Sequence, residues 1–408
     1  MFDKTEKIAE ATFSYERLER LLQESLKTEN TLKSATSRRI GELQGFLSRI
    51  VKVELEWSKE ESSLPKSVVL KIPSLKNIQE LGEIVEEMKE AMESFTGMDE
   101  VITRAHNNEC AFYRFAKGHE KTFRIPKCYY VEEIDVQKKQ LGLIVMEDLT
   151  RNGGYVKRLY DKPQLPLLKD VAAAQASYHA YSLLDDSWKG KLNMSFEDIM
   201  QDNKEQAKEM AKKLVDIMIE KFPDYFSKEL AGRYVDFADH ENIVYALKEN
   251  ERMGVPAVME QGDFWISNIV VKKHEETGEE RLLAIIDWQI CHPGSTAGDL
   301  ARFLCSSVDG KLRREQTAEI LLHYYSCLRE EMKKRGKECP FSLEQIQEAY
   351  RRVFKCGVLM VAGGLPMMAS QDALLGEDPE AGRHELLHRA QCLLEDLYAS
   401  EDGLPLPW

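Results

Sequence analysis

The sequence predicts an α+β fold with two lobes: a small N-terminal lobe built on an antiparallel sheet, and a larger, mainly helical C-terminal lobe. Up to Leu149, helical segments are interspersed with short strand-like runs, some with apolar residues at every second position, as in half-buried strands. Beyond Leu149, apolar residues recur mainly every three to four positions, the period of amphipathic helices. The 408 residues are enough for two lobes with separate cores. We therefore expect one lobe over residues 1–149 and the other over residues 150–408.

The elements of the N-terminal lobe are predicted from hydrophobic spacing. Four leucines between residues 16 and 28 fall on one helical face, whereas the alternation from Ile50 to Trp57 is that of a strand. The predicted elements are helices at 16–28, 76–94 and 105–116, and strands at 50–57, 67–72 and 141–146. Together they indicate a small antiparallel sheet with helices packed beside it.

The C-terminal lobe is predicted to be helical except for one hairpin. The expected helices lie at about 166–183, 196–222, 241–252, 313–334, 342–361 and 383–399. Two β-rich runs, Ile269 to Lys273 and Leu282 to Ile286, are joined by the polar loop HEETGEE, which is typical of a hairpin.

Charge and cysteine usage exclude several classes of protein. The chain has 56 Lys and Arg against 70 Asp and Glu, a formal net charge of −14. It therefore has no overall positive field to hold a phosphate backbone, and we expect no nucleic-acid partner. The eight cysteines are scattered and include no C-x-x-C pair, so we expect reduced thiols and neither zinc sites nor disulfides.

Targeting and membrane signals are weak. The first twenty residues mix both charges and lack the apolar core of a signal peptide. The longest apolar tract, Cys356 to Ala369, contains Gly363, Gly364 and Pro366 and is shorter than the roughly twenty residues of a membrane span. We expect a cytoplasmic protein with no membrane span.

Two segments flanking the predicted hairpin carry residues suited to phosphoryl transfer. QGDFWISN precedes the hairpin and IIDW follows it, which places Asp263 and Asn268 before it and Asp287 after it. Transfer from ATP needs a carboxylate near the attacking hydroxyl and oxygen ligands that hold magnesium on the phosphates. Each residue alone could instead cap a turn, and only the combination favours a chemical role.

Several segments together resemble the protein-kinase-like superfamily, in its choline-kinase and aminoglycoside-phosphotransferase branch. The resemblance is closest to the ecdysteroid-kinase-like (CHK kinase-like) family and covers nearly the whole chain. The segments are GELQGFLSRIVKVELEW with LPKSVVLKI, HNNECAFYRF, LIVMEDL, QGDFWISNIV and AIIDWQICHPGSTAGDLARFL. The resemblance implies an ATP- and Mg²⁺-dependent kinase that phosphorylates an alcohol hydroxyl of a small-molecule acceptor, such as a steroid, a glycoside or a xenobiotic.

By this resemblance, Asp263 is the catalytic aspartate, and Asn268 and Asp287 are the magnesium ligands. Lys71 matches the strand lysine that contacts the α- and β-phosphates, and Glu109 matches the helix glutamate that pairs with it. Taken alone, Lys71 could be a solvated lysine at the end of a strand.

The resemblance also implies two backbone contacts with the nucleotide. Gly41 and Gly45 mark a loop between the first two strands where amides could approach phosphate, although glycines are common in tight turns. Met146, Glu147 and Leu149 match the hinge between the lobes, whose backbone would contact the adenine edge. The side chains of Glu147 and Asp148 could be only a helix N-cap pair, and Asp299 could accept hydrogen bonds from the catalytic loop or cap a helix.

One residue departs from the family pattern. The catalytic loop of the family begins His-Gly-Asp, whereas here the first position is Gln261. The Gln261 amide can still donate and accept hydrogen bonds, so it can tie the loop to the strand that carries Asp287. Two alternatives stay open: a pseudokinase that binds nucleotide or acts as a scaffold, and a choline or ethanolamine kinase, which would need an acidic or aromatic cage for its cationic substrate.

Overall fold

The N-terminal lobe contains a five-stranded sheet in which all neighbouring strands are antiparallel. A computed structural model describes residues 2–8, 11, 13–41, 47–74, 98–195, 204–237, 252–404 and 406. The strands are β1 (Leu32–Ile40), β2 (Ser48–Trp57), β3 (Ser67–Pro73), β4 (Cys128–Asp135) and β5 (Gln140–Glu147). Their order across the sheet is β1-β2-β3-β5-β4.

Helices cover this sheet because their apolar faces need burial. The helix α1 (Tyr15–Leu26) begins after Ser14, whose hydroxyl accepts the Arg17 N–H, and its leucines join a core with Val51, Val53 and Val68. The helix α2 (Met98–Phe115) packs against β3, β4 and β5. A single turn, α3 (Glu120–Phe123), leads into β4.

The C-terminal lobe is mainly helical and surrounds one large hydrophobic core. The helix Leu165–Ser182 packs against Gly310–Lys334, and the helix Gly298–Ser307 packs against Leu343–Val361. The helices are α4 (Leu165–Ser182), α5 (Lys204–Lys221), α6 (Lys228–Phe237), α7 (Gly298–Ser307), α8 (Gly310–Lys334), α9 (Leu343–Val361), α10 (Gly364–Ala369), α11 (Asp372–Leu375) and α12 (Pro379–Glu401).

Short strands between these helices position the segments predicted to carry the chemistry. The predicted hairpin is present as β8 (Ile269–Lys273) and β9 (Glu280–Ile285), and β6 (Tyr155–Val156) extends it to three strands. A second small sheet pairs β7 (Val258–Glu260) with β10 (His292–Gly294). The loop between β7 and β8 and the loop between β9 and β10 therefore lie side by side.

The fold class predicted from the sequence is confirmed, with differences in particular elements. Strand β4 and helix α6 were not predicted. Every residue of β4 is half-buried, so β4 lacks the alternation of a half-buried strand, whereas α6 has an apolar spacing at Leu230, Tyr234 and Phe237 that could have been recognised from the sequence. The predicted helix at 76–94, most of that at 241–252 and the start of that at 196–222 lie outside the described residues. The division into units at residues 149 and 150 stays a prediction.

Two smaller predictions concern cysteine and the apolar tract. All eight cysteines are free thiols, as expected. One described helical stretch, Leu343–Ala369, is long and apolar enough to cross a membrane by length and composition alone. Its most apolar window is 67% buried inside the protein, so this apolarity is accounted for by the core.

Candidate active site

Lys71 lies at the centre of the candidate site and joins two segments of the chain that are far apart in sequence. It lies on β3 between Ile50 of β2 and Ile144 of β5. Its Nζ is 2.6 Å from Glu109 Oε2 on α2 and 2.5 Å from Asp287 Oδ1 after β9. The structure thus brings Lys71, Glu109 and Asp287 together, whereas the resemblance paired only the first two.

The electrostatics of this triad favour a cation between two anions. The Lys71 side chain is only 8% exposed, and burial alone would lower its pKa; the carboxylates of Asp287 and Glu109 outweigh burial and raise the pKa of Lys71 above its ordinary value. Burial raises the pKa of Asp287 to about 6, although Lys71 opposes the shift. As long as no other cation is bound, the positive charge of Lys71 therefore offsets part of the negative charge of both carboxylates.

Asp287 has an unusual backbone conformation. Its φ is 64°, in the left-handed region that non-glycine residues seldom occupy, and such local strain concentrates at functional sites. The next residue, Trp288, is fully buried and stacks on Phe112 of α2 with ring centroids 4.0 Å apart. This packing holds the segment after β9 against the helix that carries Glu109.

Hydrogen bonds from Gln261 and to Asp299 hold the loop that the resemblance predicts to be catalytic. The Gln261 Nε2 donates to the carbonyls of Ile286 at 3.0 Å and Asp287 at 2.5 Å, and Gln261 Oε1 accepts the Asp263 N–H at 2.9 Å. Asp299 on α7 accepts the N–H groups of Gln261 at 2.7 Å and Gly262 at 2.9 Å. Of its two predicted alternatives, Asp299 therefore has the role of supporting the loop.

Gly262 is required in this loop by its conformation and its surroundings. Its φ is +88°, and a Cβ built there would lie 2.3 Å from the carbonyl oxygen of Ile290. Any other residue would meet both a backbone penalty and a steric clash. The tight turn that presents Asp263 therefore depends on a glycine.

Asp263 and Asn268 lie together at the end of the same loop. Asn268 Nδ2 donates to the Asp263 carbonyl at 2.8 Å and lies 3.4 Å from Asp263 Oδ2. The other carboxylate oxygen of Asp263, Oδ1, forms an ion pair with Arg302 on α7. Sequence reasoning missed Arg302, although it lies three residues after Asp299, on the same helical face, within the GDLARF segment.

The residues predicted to hold magnesium are adjacent. Asn268 immediately precedes β8, its carbonyl accepts the Ile286 N–H at 2.9 Å, and Asp287 follows directly. Since Nδ2 of Asn268 is directed at Asp263, its Oδ1 is oriented away from that residue. One carboxylate with one amide oxygen suits Mg²⁺, which usually takes few protein ligands and completes its shell with phosphate and water. The described residues contain no group of three or more His, Cys, Asp or Glu that could hold a metal.

Two buried histidines, His179 and His292, have packing roles. The buried His179 has its Nδ1 2.7 Å from the Tyr324 hydroxyl, and burial lowers its pKa to about 3. His292 Nδ1 lies 2.8 Å from the Ile290 carbonyl oxygen. Neither belongs to a cluster of metal-ligating residues within the ranges the structure describes.

The predicted hinge lies where β5 ends. Met146 and Glu147 are its last residues, and Leu149 begins a 3-10 turn, Leu149–Asn152. The Glu147 N–H donates to the Lys127 carbonyl at 2.8 Å, so this donor is already used within the protein. Any adenine contact at this residue would therefore use its carbonyl.

Asp148 is a helix N-cap, as considered from the sequence, and it also has a charged partner. It accepts the Thr150 N–H at 3.0 Å and the Ser67 hydroxyl at 2.6 Å, and it forms an ion pair with Lys52 at 2.8 Å. Burial alone would raise its pKa, but these hydrogen bonds and the Lys52 charge lower the pKa of Asp148 to about 2. The residue fastens the end of β5 to β2 and β3.

The structure describes one of the two glycines that were predicted to lie near phosphate. Gly41 directly follows β1 and has a φ of 66°, as expected for a residue that begins a turn. Gly45 lies outside the described residues. A phosphate contact at either glycine stays a prediction.

A strand lysine paired with a helix glutamate, close to an Asp and Asn loop and a strand-end Asp, is the arrangement of kinase-like proteins. A family model described as "Uncharacterized oxidoreductase dhs-27" (DUF1679) matches residues 1–402. The chain belongs to this family.

Two relatives from Caenorhabditis elegans have names that point to different activities. The chain is 27% identical over 321 residues to "Uncharacterized oxidoreductase dhs-27", and the match covers 76% of this chain but only 37% of that relative. It is 26% identical over 310 residues to "Uncharacterized kinase-like protein D1044.1", a match covering 72% of this chain and 74% of the relative. The first relative is therefore much longer than the region the two proteins share.

Solved structures of small-molecule kinases are among the structural matches. A putative aminoglycoside phosphotransferase from Ralstonia eutropha aligns over 95% of this chain and 98% of its own, with 13% identity and a TM-score of 0.46. An ethanolamine kinase from Plasmodium vivax aligns over 88% of this chain and 80% of its own, with 15% identity and a TM-score of 0.40.

Proposed function

We propose that the protein is an ATP-dependent kinase that transfers the γ-phosphoryl group to an alcohol hydroxyl of a small-molecule acceptor. The observation that carries the proposal is the bridge that Lys71 forms between Glu109 and Asp287. In kinase-like enzymes this lysine contacts the phosphates while the strand-end aspartate holds the metal. The kinase-like relative supports the same function.

The described residues can perform each part of the reaction. The acceptor oxygen would attack the γ-phosphorus while its proton passes to the Asp263 carboxylate, and ADP would leave with the electrons of the broken P–O bond. Lys71 would stabilise charge on the α- and β-phosphates. Asn268 and Asp287 would hold Mg²⁺, which neutralises the phosphate charge when bound.

The pseudokinase alternative is weakened by the contacts of Gln261. This residue ties the catalytic loop to the Asp287 segment through both ends of its amide, so the loop does not need the family histidine to stay ordered. Lys71, Asp263, Asn268 and Asp287 are all present as well. A chain that had lost catalysis would more often have lost one of these four.

Two other activities receive less support from the site. Trp288 cannot form part of a cage for choline or ethanolamine, because it is fully buried against Phe112. An oxidoreductase built on a dinucleotide-binding fold needs a parallel sheet. Every strand pair among the described residues is antiparallel.

The proposal is tested by magnesium-dependent ATP turnover with a panel of sterols, glucosides, simple alcohols and amino alcohols. Stimulation by at least one alcohol, recovery of its phosphate ester, and loss of both in Asp263→Asn would support the function. Mg-ATP binding without transfer to any member would favour the pseudokinase. Membership of the ecdysteroid-kinase-like branch and a cytoplasmic location are part of this proposal, and fractionation of expressing cells tests the location.

A further inference from the structure

A cavity of about 210 Å³ opens beside the predicted catalytic aspartate. Its described wall includes the apolar side chains of Leu159, Trp265, Met360, Leu365 and Met368. The methionine-rich stretch around residue 360 thus lines a space that reaches Asp263. The volume lies below the roughly 300–1,000 Å³ of pockets for drug-sized ligands, so the cavity suits a small molecule or one end of a larger one.

The cavity is held in shape by a buried arginine. Arg389 of α12 donates to the carbonyl of Leu159 at 2.8 Å and to that of Ser306 at 3.0 Å. Both residues belong to the cavity wall. Because one fully buried side chain fixes them together, this part of the wall is preformed.

The charges in the described wall cancel. Asp263 and Arg302 are its only charged residues among those the structure describes, and they form an ion pair whose side chains are 20% and 19% exposed. A cationic group entering the cavity would meet Arg302 and would lose its hydration shell without an unpaired anion to replace it. An anionic group would meet Asp263 in the same way.

Two buried N–H groups at the cavity have no acceptor within the described part of the protein. They are Nε of Arg302 and Nε1 of Trp265, and both residues line the cavity. Buried donors are nearly always hydrogen-bonded in native proteins. Both nitrogens are closed off from solvent in this arrangement of the side chains, so an oxygen of a bound molecule would reach them only after these side chains shift.

We propose that Arg302 is a specificity-determining residue that makes this cavity select uncharged alcohols and reject cationic amino alcohols. The proposal rests on the kinase function proposed above. Arg302 would act by neutralising Asp263, which would otherwise attract cations. The acceptor is thus a largely apolar, uncharged alcohol.

The test compares alcohols of the same shape that differ only in charge. Suitable pairs are 3,3-dimethylbutan-1-ol with choline, and 4-tert-butylbenzyl alcohol with its trimethylammonium analogue. Binding is measured by calorimetry in the presence of magnesium and a non-hydrolysable ATP analogue, and transfer is measured with ATP. The variants are Arg302→Gln, which removes the charge, and Arg302→Lys, which keeps it, each checked for folding by thermal unfolding.

We expect the wild type to bind the uncharged member of each pair at least about tenfold more tightly, since like-charge contacts are strongly discriminating. Arg302→Lys should keep most of this ratio, and Arg302→Gln should reduce it by about tenfold or more. Equal or tighter binding of the cationic member by the wild type would overturn the proposal, as would no binding of either member. An unchanged ratio in folded Arg302→Gln would overturn it too.

The two proposals fail in different ways. If the uncharged member binds selectively but neither the wild type nor any variant transfers phosphate to it, the cavity assignment stands and the kinase function is wrong. If phosphate is transferred equally well to both members, the kinase function stands and the role of Arg302 is wrong.

Discussion

Gln261 offers the sharpest test of how the proposed catalytic loop works, because the ecdysteroid-kinase-like proteins that the chain resembles have histidine at this position. The Gln261→Ala substitution removes two hydrogen bonds to the carbonyls of Ile286 and Asp287 and one from the Asp263 N–H. Each neutral hydrogen bond contributes about 0.5–1.5 kcal/mol. The three together would stabilise the ordered loop by roughly 1.5–4.5 kcal/mol, which corresponds to a rate loss of about 10 to 10³-fold.

The Gln261→His variant tests whether a histidine side chain can replace the hydrogen bonds that Gln261 forms. A neutral imidazole has one donor and one acceptor, so it can replace two of the three bonds, and we expect at least about a tenth of the wild-type rate. Asp263→Asn should lose about 10²–10⁴-fold, since it removes the general base. Gln137→Ala, in the exposed turn between β4 and β5, is the matched control and should keep the wild-type rate.

The assay is a single-turnover measurement of phosphate transfer, combined with hydrogen exchange of the amides in residues 261–268. Gln261→Ala should increase exchange in this loop as it lowers the rate. A wild-type rate in Gln261→Ala would refute the reasoning. If the wild type is inert and the Gln261→His variant transfers phosphate, the pseudokinase alternative would be supported instead.

Three further predictions concern the surroundings of the site. Asp287→Ala should abolish magnesium-dependent transfer because the metal loses its carboxylate; calorimetry showing unchanged Mg-ATP affinity would contradict the assignment. Gly262→Ala should reduce transfer strongly, because its Cβ would lie 2.3 Å from the Ile290 carbonyl oxygen. Gly278 also has a positive φ, but a Cβ there meets nothing within 4 Å, so Gly278→Ala is the control for backbone strain without a clash. The pKa of Asp148 is lowered from 3.8 to about 2, so its ionised form stabilises the fold above pH 4 and this contribution is lost as the pH falls toward 2. In urea unfolding, the advantage of wild type over Asp148→Asn should therefore be constant above pH 4 and shrink below it, and a pH-independent advantage would show that charge is not the cause.

The sequence by itself determined the order of the segments that carry the candidate site residues, because each segment has a recognisable local pattern of residues. The hairpin of β8 and β9 was predicted from two β-rich runs and a polar loop, and strand pairing places the ends of such runs together. Asp263, Asn268 and Asp287 were therefore expected near one another. Lys71 and Glu109 were predicted to lie on a strand and a helix by their apolar neighbours, and the structure has both elements.

Only the tertiary structure decided which of these residues touch and what else they contact. Lys71 meets Asp287 across 216 positions of sequence, and Arg302 meets Asp263 across 39. The Glu147 N–H is used by Lys127, which a hinge assigned from sequence alone did not anticipate. Hydrophobic period and turn residues report on neighbours within a few positions, whereas ion pairs and loop contacts between distant segments depend on how the packed elements place their side chains.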